Sequence, residues 1–408
     1  MSRLAVIGLG LRATHMIRSM HDIDPQVRVV AVVDPDEAGA RKRMGRVGVS
    51  VDAARFCPSA DALLEGADGF DGVVIGTRCH LHTPMACKVA PTGLPLFLEK
   101  PVSITAGQLA ELAAVYARHE QSVLVSFPLR MTPLYTAARD IVRSGRLGKI
   151  NQIQANNNVS YGGCYFGGWY RNYDEVGGLW LQKATHDFDY LTDLLDARPL
   201  MIAATATQLI YGGDMPHDLR CSQCDQAETC IESHRNQTFR GDDGGMSSTE
   251  ESDDHWCAFS REIGNQDAGS ALILYEGGAH VSYAQNFVSR RRAARRGAIL
   301  TGHRATLEFD WPSETIRVVE HHTDRVDEIH VGAVTGHSGG DHVLAGNFIR
   351  LMRGEAHEGA DLRDALRSVS MCLAARESAH GRTFQPIVTP GVTGPLPEVA
   401  AATEVPVP

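Results

Sequence analysis

The chain has 408 residues, a formal net charge of −10 and an apolar fraction of 43%. That length is large for one hydrophobic core, so two domains are expected, and the negative charge argues against a nucleic-acid surface spread over the whole molecule. No window approaches the roughly 20 apolar residues of a membrane span, and Met1-Ser2-Arg3 leads directly into Leu4-Ala5-Val6-Ile7, too short for the apolar part of a signal peptide. The reading is a cytoplasmic protein whose nine cysteines stay reduced.

The first third alternates short apolar runs with helical patterns. Leu4–Ile7 is a strand, Leu11–Met20 a helix, Val29–Val33 a second strand and Asp36–Met44 a second helix. Gly72–Ile75, Pro95–Leu98 and Ser122–Val125 are further strands, apolar on both faces. This rhythm predicts an N-terminal doubly wound parallel sheet over residues 1–125. After residue 125 the pattern changes. Asn151–Val159, Ser270–Tyr275, Ala279–Phe287, Ala298–Thr301, Thr306–Phe309 and Thr315–Glu320 read as strands of a large, mainly antiparallel sheet. Glu276-Gly277-Gly278 joins two of them as a hairpin turn. Helices over Asp341–Met352 and Leu362–Ala379 complete an α+β domain over 126–385. A polar, Cys-rich insert is expected at about 212–257, and 386–408 is expected to be a mobile tail.

Gly8-Leu9-Gly10-Leu11-Arg12-Ala13 lies between the first strand and the first helix. Gly8 permits the tight turn, Gly10 lets the backbone approach a pyrophosphate, and Ala13 is small enough for close helix–strand packing. Asp34 ends the second strand, 24 residues after Gly10. A carboxylate there can accept both ribose hydroxyls of NAD and repels a 2′-phosphate, so NAD is expected before NADP. Without that context the motif is a common structural turn.

Two further places carry chemistry. Glu99-Lys100-Pro101 follows the strand Pro95–Leu98, at the sheet edge where open α/β sheets bind ligands. On composition alone Lys100 is a surface lysine before a turn proline; at that edge it can also hydrogen-bond a substrate hydroxyl. In Gly177-Gly178-Leu179-Trp180-Leu181-Gln182-Lys183-Ala184-Thr185-His186-Asp187-Phe188-Asp189, residues Leu179, Gln182, His186 and Asp189 fall on one helical face, with Lys183 one residue round. A histidine among apolar residues is commonly a satisfied core residue, but two adjacent glycines permit close approach of a ligand.

Together, Gly8-Leu9-Gly10, Asp34, Glu99-Lys100-Pro101 and the glycine-led segment ending in His186 and Asp189 resemble the Gfo/Idh/MocA family, the relatives of glucose–fructose oxidoreductase and inositol dehydrogenase. The resemblance covers residues 1 to about 380. It implies a Rossmann domain, a sheet-rich second domain and a nicotinamide between them, with Lys100 and His186 catalytic. It places Gly8, Gly10, Leu11, Arg12, Ala13, Asp34, Thr77, His82, Glu99, Lys100, Arg130, Trp169 and Arg171 on the cofactor. Lys100, Gln182, Lys183, His186, Tyr161 and Tyr165 fall on the substrate. Gln182 stands where the sugar and inositol dehydrogenases often carry an Asp. Thr77-Arg78-Cys79-His80-Leu81-His82 keeps the Thr and His of the family's Thr-Pro-Asn-x-x-His and replaces its Pro and Asn. The implied activity is NAD-dependent hydride transfer at a carbinol carbon of a sugar, sugar derivative or cyclitol, in a homo-oligomer formed through the second sheet. A redox-assisted glycosidase, which needs a third acid/base such as Tyr161, Tyr165, Tyr170 or Tyr173, and a non-catalytic NAD-binding regulator are the rivals.

Two features stand apart. Cys221, Cys224 and Cys230 have spacings that let three thiols converge on a structural Zn²⁺, with Cys257, His217, His234 or His255 as fourth ligand. The same cysteines also suit an ordinary loop. The run Ser289-Arg290-Arg291-Arg292-Ala293-Ala294-Arg295-Arg296 reads as a solvated loop or subunit contact, and clustered arginines also suit an anionic substrate group.

Overall fold

The structure is a computed structural model that describes residues 2–119, 122–233, 254–332 and 337–391. The first sheet has six strands, β1 (Ser2–Ile7), β2 (Val27–Val33), β3 (Arg55–Phe56), β4 (Gly72–Ile75), β5 (Leu96–Leu98) and β6 (Val123–Val125), in the order β3-β2-β1-β4-β5-β6. All its pairings are parallel. Leu4, Ala5, Val6, Val73, Val74, Ile75, Leu96, Phe97 and Leu98 are fully buried, as strands covered by helices on both faces require. The helix Leu11–Ile23 buries Ala13, Met16, Ile17 and Met20, residues three or four apart on one face. Strand order reverses between β1 and β4, which opens a crevice at their carboxyl ends.

The second sheet has nine strands. They are β7 (Ile150–Asn158), β8 (Pro199–Thr207), β9 (Ala268–Tyr275), β10 (His280–Asn286), β11 (Arg295–Gly302), β12 (Ala305–Asp310), β13 (Thr315–Glu320), β14 (Val326–His330) and β15 (Gln385–Pro386). Their order is β14-β13-β12-β11-β7-β10-β9-β8-β15. The β7–β10 pair is parallel and the other pairs are antiparallel. Along β7, Ile153, Ala155 and Asn157 point inward and Gln154 and Asn156 outward. The helices Thr185–Leu195 and Leu362–Gly381 pack in the core beside the inward face. The outward face lines a cavity of about 680 Å³ between Gln154, Asn156, Ser270, Leu272, Ser282 and Ile299, apart from Lys100 and His186. Among the described residues no helix is long and apolar enough to cross a membrane.

The strands expected from hydrophobic pattern are present, with ends moved by up to three residues. Strands β8 and β14 were not marked by the pattern: β8 is rich in Ala and Thr, and β14 is an edge strand with four of its five residues exposed. The tail expected from 386 onward begins as structure, because Pro386 pairs with Met201 and the Ile387 N–H donates to the Leu200 carbonyl; residues 392–408 lie outside the described residues. The helix Gly340–Met352 follows the second sheet in sequence but packs on the first. Leu344, Ala345, Phe348 and Ile349 join the core of Leu4, Val6, Met16 and Val74, and the Phe348 ring meets the Phe97 ring edge-on at 5.4 Å.

Phe348→Ala should therefore destabilise the first sheet by about 3–5 kcal/mol, the usual cost of truncating a fully buried Phe. Chemical denaturation followed by circular dichroism checks this; an unchanged midpoint would show that the sheet is complete without the late helix.

Candidate active site

Gly8 follows β1 with φ +82°, and a Cβ there would lie 2.6 Å from the Thr77 backbone nitrogen. Only glycine fits, so the ends of β1 and β4 close on each other at this turn. Gly10 is the N-cap of Leu11–Ile23 and has no side chain of its own to cap that helix. Asp34 lies over the same turn: its Oδ2 accepts the Leu9 N–H at 2.7 Å and its Oδ1 the Asp36 N–H at 2.9 Å. Arg43 donates through Nε to the Leu9 carbonyl and comes within 3.9 Å of Asp34. A glycine turn, a helix N-terminus that begins at Gly10 and a carboxylate at the end of β2 fit a dinucleotide.

Lys100 sits just beyond β5, and the Lys100–Pro101 peptide bond is cis. Its Nζ donates to the Gln182 carbonyl at 2.8 Å. That carbonyl is exposed to a donor because Trp180–Ala184 is a π turn, which widens the helix just before the regular helix Thr185–Leu195 begins. His186 follows in the first turn of that helix, 8% exposed, with the Phe127 ring edge-on at 5.6 Å. The widened turn thus brings Lys100 and His186 to one segment, at the carboxyl edge of the first sheet.

Residues 2–127 match the family described as "Oxidoreductase family, NAD-binding Rossmann fold", and residues 135–308 match the "GFO/IDH/MocA C-terminal domain". The chain belongs to the Gfo/Idh/MocA oxidoreductase family. Among its relatives is inositol 2-dehydrogenase of Rhizobium meliloti (strain 1021), 28% identical over 45% of this chain and 52% of that protein. Another is scyllo-inositol 2-dehydrogenase (NAD(+)) of Bacillus subtilis (strain 168), 25% identical over 56% of this chain and 63% of that protein. These matches span about half to two thirds of the relatives' length. In fold it is similar to levoglucosan dehydrogenase in complex with NADH, with a TM-score of 0.75 at 14% identity over 95% of this chain and 99% of that one.

The other expected residues of this Gfo/Idh/MocA oxidoreductase divide into those near the site and those committed elsewhere. Arg12 does not face the glycine turn. Its guanidinium meets Glu99 at 3.1 Å and Asp341 at 2.7 and 2.8 Å, tying the turn, the β5 edge and the late helix together. Arg130, expected on the cofactor, is buried against Asp189 at 2.6 Å, with Asp193 and Asp364 beside it. Such a buried guanidinium takes its paired carboxylates first. His82 joins two loops, one ring nitrogen at 2.8 Å from the Pro101 carbonyl and the other at 3.0 Å from the Thr77 carbonyl; burial pushes its pKa down. Trp169 stacks on Tyr170 at 3.9 Å, with the Arg78 guanidinium 3.8 Å over its ring. Arg171, also expected on the cofactor, points into the insert, where it meets Ser260 and the His217 carbonyl. Gln182 turns its amide to the Val176 carbonyl and the Cys79 thiol, at 3.1 and 3.2 Å. The glycines Gly177 and Gly178, read as room for a ligand, hold positive φ and let Ile104, Leu181 and Tyr173 pack where a Cβ would stand.

Lys183 is 4% exposed and donates to the Tyr161 hydroxyl. Its Nζ lies 4.4 Å from the Tyr161 ring centre and 5.6 Å from that of Tyr165. Burial, with Arg296 nearby, pushes the Lys183 pKa down to about 7; burial, with Lys183 nearby, pushes that of Lys100 down to about 8.

The cysteine insert is placed in part. Burial raises the Cys257 pKa, and Cys221, Cys224 and Cys230 raise it further as neighbours. The Cys221 thiol meets the His255 ring at 3.6 Å, while the same ring nitrogen contacts the Trp256 carbonyl at 2.9 Å. Among the described residues no group of three or more His, Cys, Asp or Glu side chains is arranged to hold a metal, so the zinc expectation finds no support there. His234 lies outside the described residues. The arginine run also divides: Arg290 pairs with Glu232 at 2.7 Å, Arg296 pairs with Asp187 at 2.8 Å, and Arg291, Arg292 and Arg295 are exposed.

Asp187 is the residue that pattern reading passed over. It is fully buried and holds Arg296, the Asn157 amide and the Tyr283 hydroxyl, the last two at 2.7 Å. It locks the start of the His186 helix to β7, β10 and β11. Asp187→Ala leaves Arg296 buried without its carboxylate and should cost about 3–5 kcal/mol of stability. Denaturant unfolding measures this; a loss under 1 kcal/mol would mean the pair is not holding the helix.

Proposed function

We propose that this oxidoreductase transfers a hydride between NAD and a carbinol carbon of a sugar, sugar derivative or cyclitol. The observation that carries the reading is the anchoring of Lys100 to the same π turn that presents His186, beside the glycine turn of the NAD-binding domain. The inositol dehydrogenases among its relatives, and the similarity in fold to levoglucosan dehydrogenase, support a polyhydroxylated substrate.

Bound NAD supplies the hydride acceptor. The carbinol proton needs an acceptor of its own, or negative charge builds up on the oxygen as the hydride leaves. An imidazole suits that task near neutrality, with an unperturbed pKa of about 6.5. His186 is the general base, and Lys100 donates a hydrogen bond to the same oxygen and stabilises developing alkoxide. Glu99, held by Arg12, keeps the loop that carries Lys100 in place.

His186→Ala should lower turnover roughly a hundredfold or more, the scale of a lost positioned acid/base group, while NAD affinity stays within a few fold. Lys100→Ala should act in the same direction. Steady-state turnover on a panel of polyols, with NAD binding by calorimetry, checks both; two variants with wild-type turnover would remove the site.

Asp34 should favour NAD over NADP, because its carboxylate accepts the ribose hydroxyls and repels a 2′-phosphate. Arg43, already bonded to the Leu9 carbonyl, does not replace it. Equal affinity of the wild-type enzyme for NAD and NADP would refute this assignment.

A further inference from the structure

The chain uses arginine for almost all its positive charge. Of its 39 Lys and Arg residues only Lys42, Lys88, Lys100, Lys149 and Lys183 are lysines. Two of these five stand at the same π turn: the Lys100 Nζ is held by the carbonyl of Gln182, and Lys183 is the next residue. Among the described residues neither has a carboxylate within ion-pair distance. The carboxylates around them are engaged by arginines, Glu99 by Arg12 and Asp187 by Arg296. Two ammonium groups at one turn, Lys183 buried and Lys100 half-buried, are costly without a counter-charge. Arginine cannot relieve that cost by losing a proton, and lysine can.

Lys183 has a defined way to pass a proton on. It lies behind Tyr161, donates to the Tyr161 hydroxyl, and is itself 4% exposed, whereas Tyr161 is only partly buried. We propose that Lys183 and Tyr161 form a proton relay that carries the carbinol proton out of the active site, with Lys183 as the buried store and Tyr161 as the outlet. The inference rests on the oxidoreductase reading above. Each carbinol oxidised yields one carbonyl and one proton besides the hydride. The proton enters at His186 and Lys100 on the substrate oxygen. The proton that His186 takes passes to neutral Lys183, Lys183 gives one proton through the Tyr161 hydroxyl to solvent, and His186, Lys100 and Lys183 all return to their starting charge. In this scheme Lys183 is a positioning residue that acts through its neighbours.

The surroundings of Lys183 agree with a group that changes charge near neutrality. Arg296 of β11 and Lys100 at the end of β5 face it with positive charge. Asp187 faces it from the Thr185–Leu195 helix, and Cys164, Tyr161 and Tyr165 from the segment before it. Burial and Arg296 outweigh Asp187, and the Lys183 pKa falls to about 7. Neutral Lys183 accepts a proton, so oxidation should quicken as pH rises through about 7.

Two measurements on the full chain test the relay. In the first, ¹⁵N-labelled lysine side chains are titrated by NMR without NAD, where five signals are few enough to assign by substitution. Lys183 should titrate near 7, in a signal that Lys183→Met removes. In the second, the pH profile of polyol oxidation is recorded. Lys183→Met should shift the limb near pH 7 and turn over about tenfold more slowly or worse, with KM within threefold. Tyr161→Phe should do the same, and ethylamine should partly restore Lys183→Ala. Lys183→Arg should not restore turnover. A Lys183 midpoint above 10 overturns the relay whatever the substrate. So does a Lys183→Met enzyme that keeps its profile, or one whose defect is in KM and is repaired by arginine, which would make Lys183 an anion-binding group. A midpoint near 7 in a wild-type enzyme that oxidises no carbinol overturns the oxidoreductase reading instead.

Discussion

Arg130 sits 7% exposed among Asp189, Asp193 and Asp364, and its position sets the terms for the junction between the two sheets. A guanidinium that deep has no water to solvate it, so carboxylates must come to it from the helices around. Asp189 and Asp193 come from the His186 helix, and Asp364 from the last one. Arg12 does the same between the glycine turn, Glu99 and Asp341, and Arg296 does so between β11 and Asp187. Each pair fixes distance and direction, which apolar contact alone leaves loose. The helix that carries His186 is thereby held at Asp187 to one sheet and at Asp189 to the junction, on either side of the histidine's own turn.

This pairing makes the two lysines conspicuous. For Arg12, Arg130 and Arg296 the chain supplies carboxylates. At the π turn it uses lysine and supplies a backbone carbonyl and a phenol hydroxyl.

The parts of this arrangement that could be read from the sequence are local. Gly8, Gly10 and Asp34 are recognisable because a turn, a helix start and a strand end follow one another within one βαβ unit. Lys100 and His186 stand in motifs whose neighbours define them. What pattern reading missed depends on contacts between distant residues or on a change of helical period. Arg12 meets Asp341 across 329 positions, so no window around Arg12 shows that its charge is taken. A π turn leaves no mark in a stripe counted at helical spacing, and Gln182 was expected to present its side chain when its carbonyl is what Lys100 uses. Gly177 and Gly178 were recognised as unusual, but their cause is the packing of Tyr173, Ile104 and Leu181.

The helix Gly340–Met352 gives the molecule a particular order of assembly. The first sheet is translated early, yet Leu4, Val6 and Val74 share their core with Leu344 and Phe348, and Asp341 completes the ion pairs of Arg12. At the usual pace of roughly 5–20 residues per second, the ribosome needs about ten seconds to most of a minute to travel from β6 to that helix. Through this interval the nascent sheet exposes the apolar face that the helix Gly340–Met352 later covers. The amino-terminal segment is thus a nucleotide-binding unit in sequence that becomes a finished folding unit only once the helix Gly340–Met352 has been made.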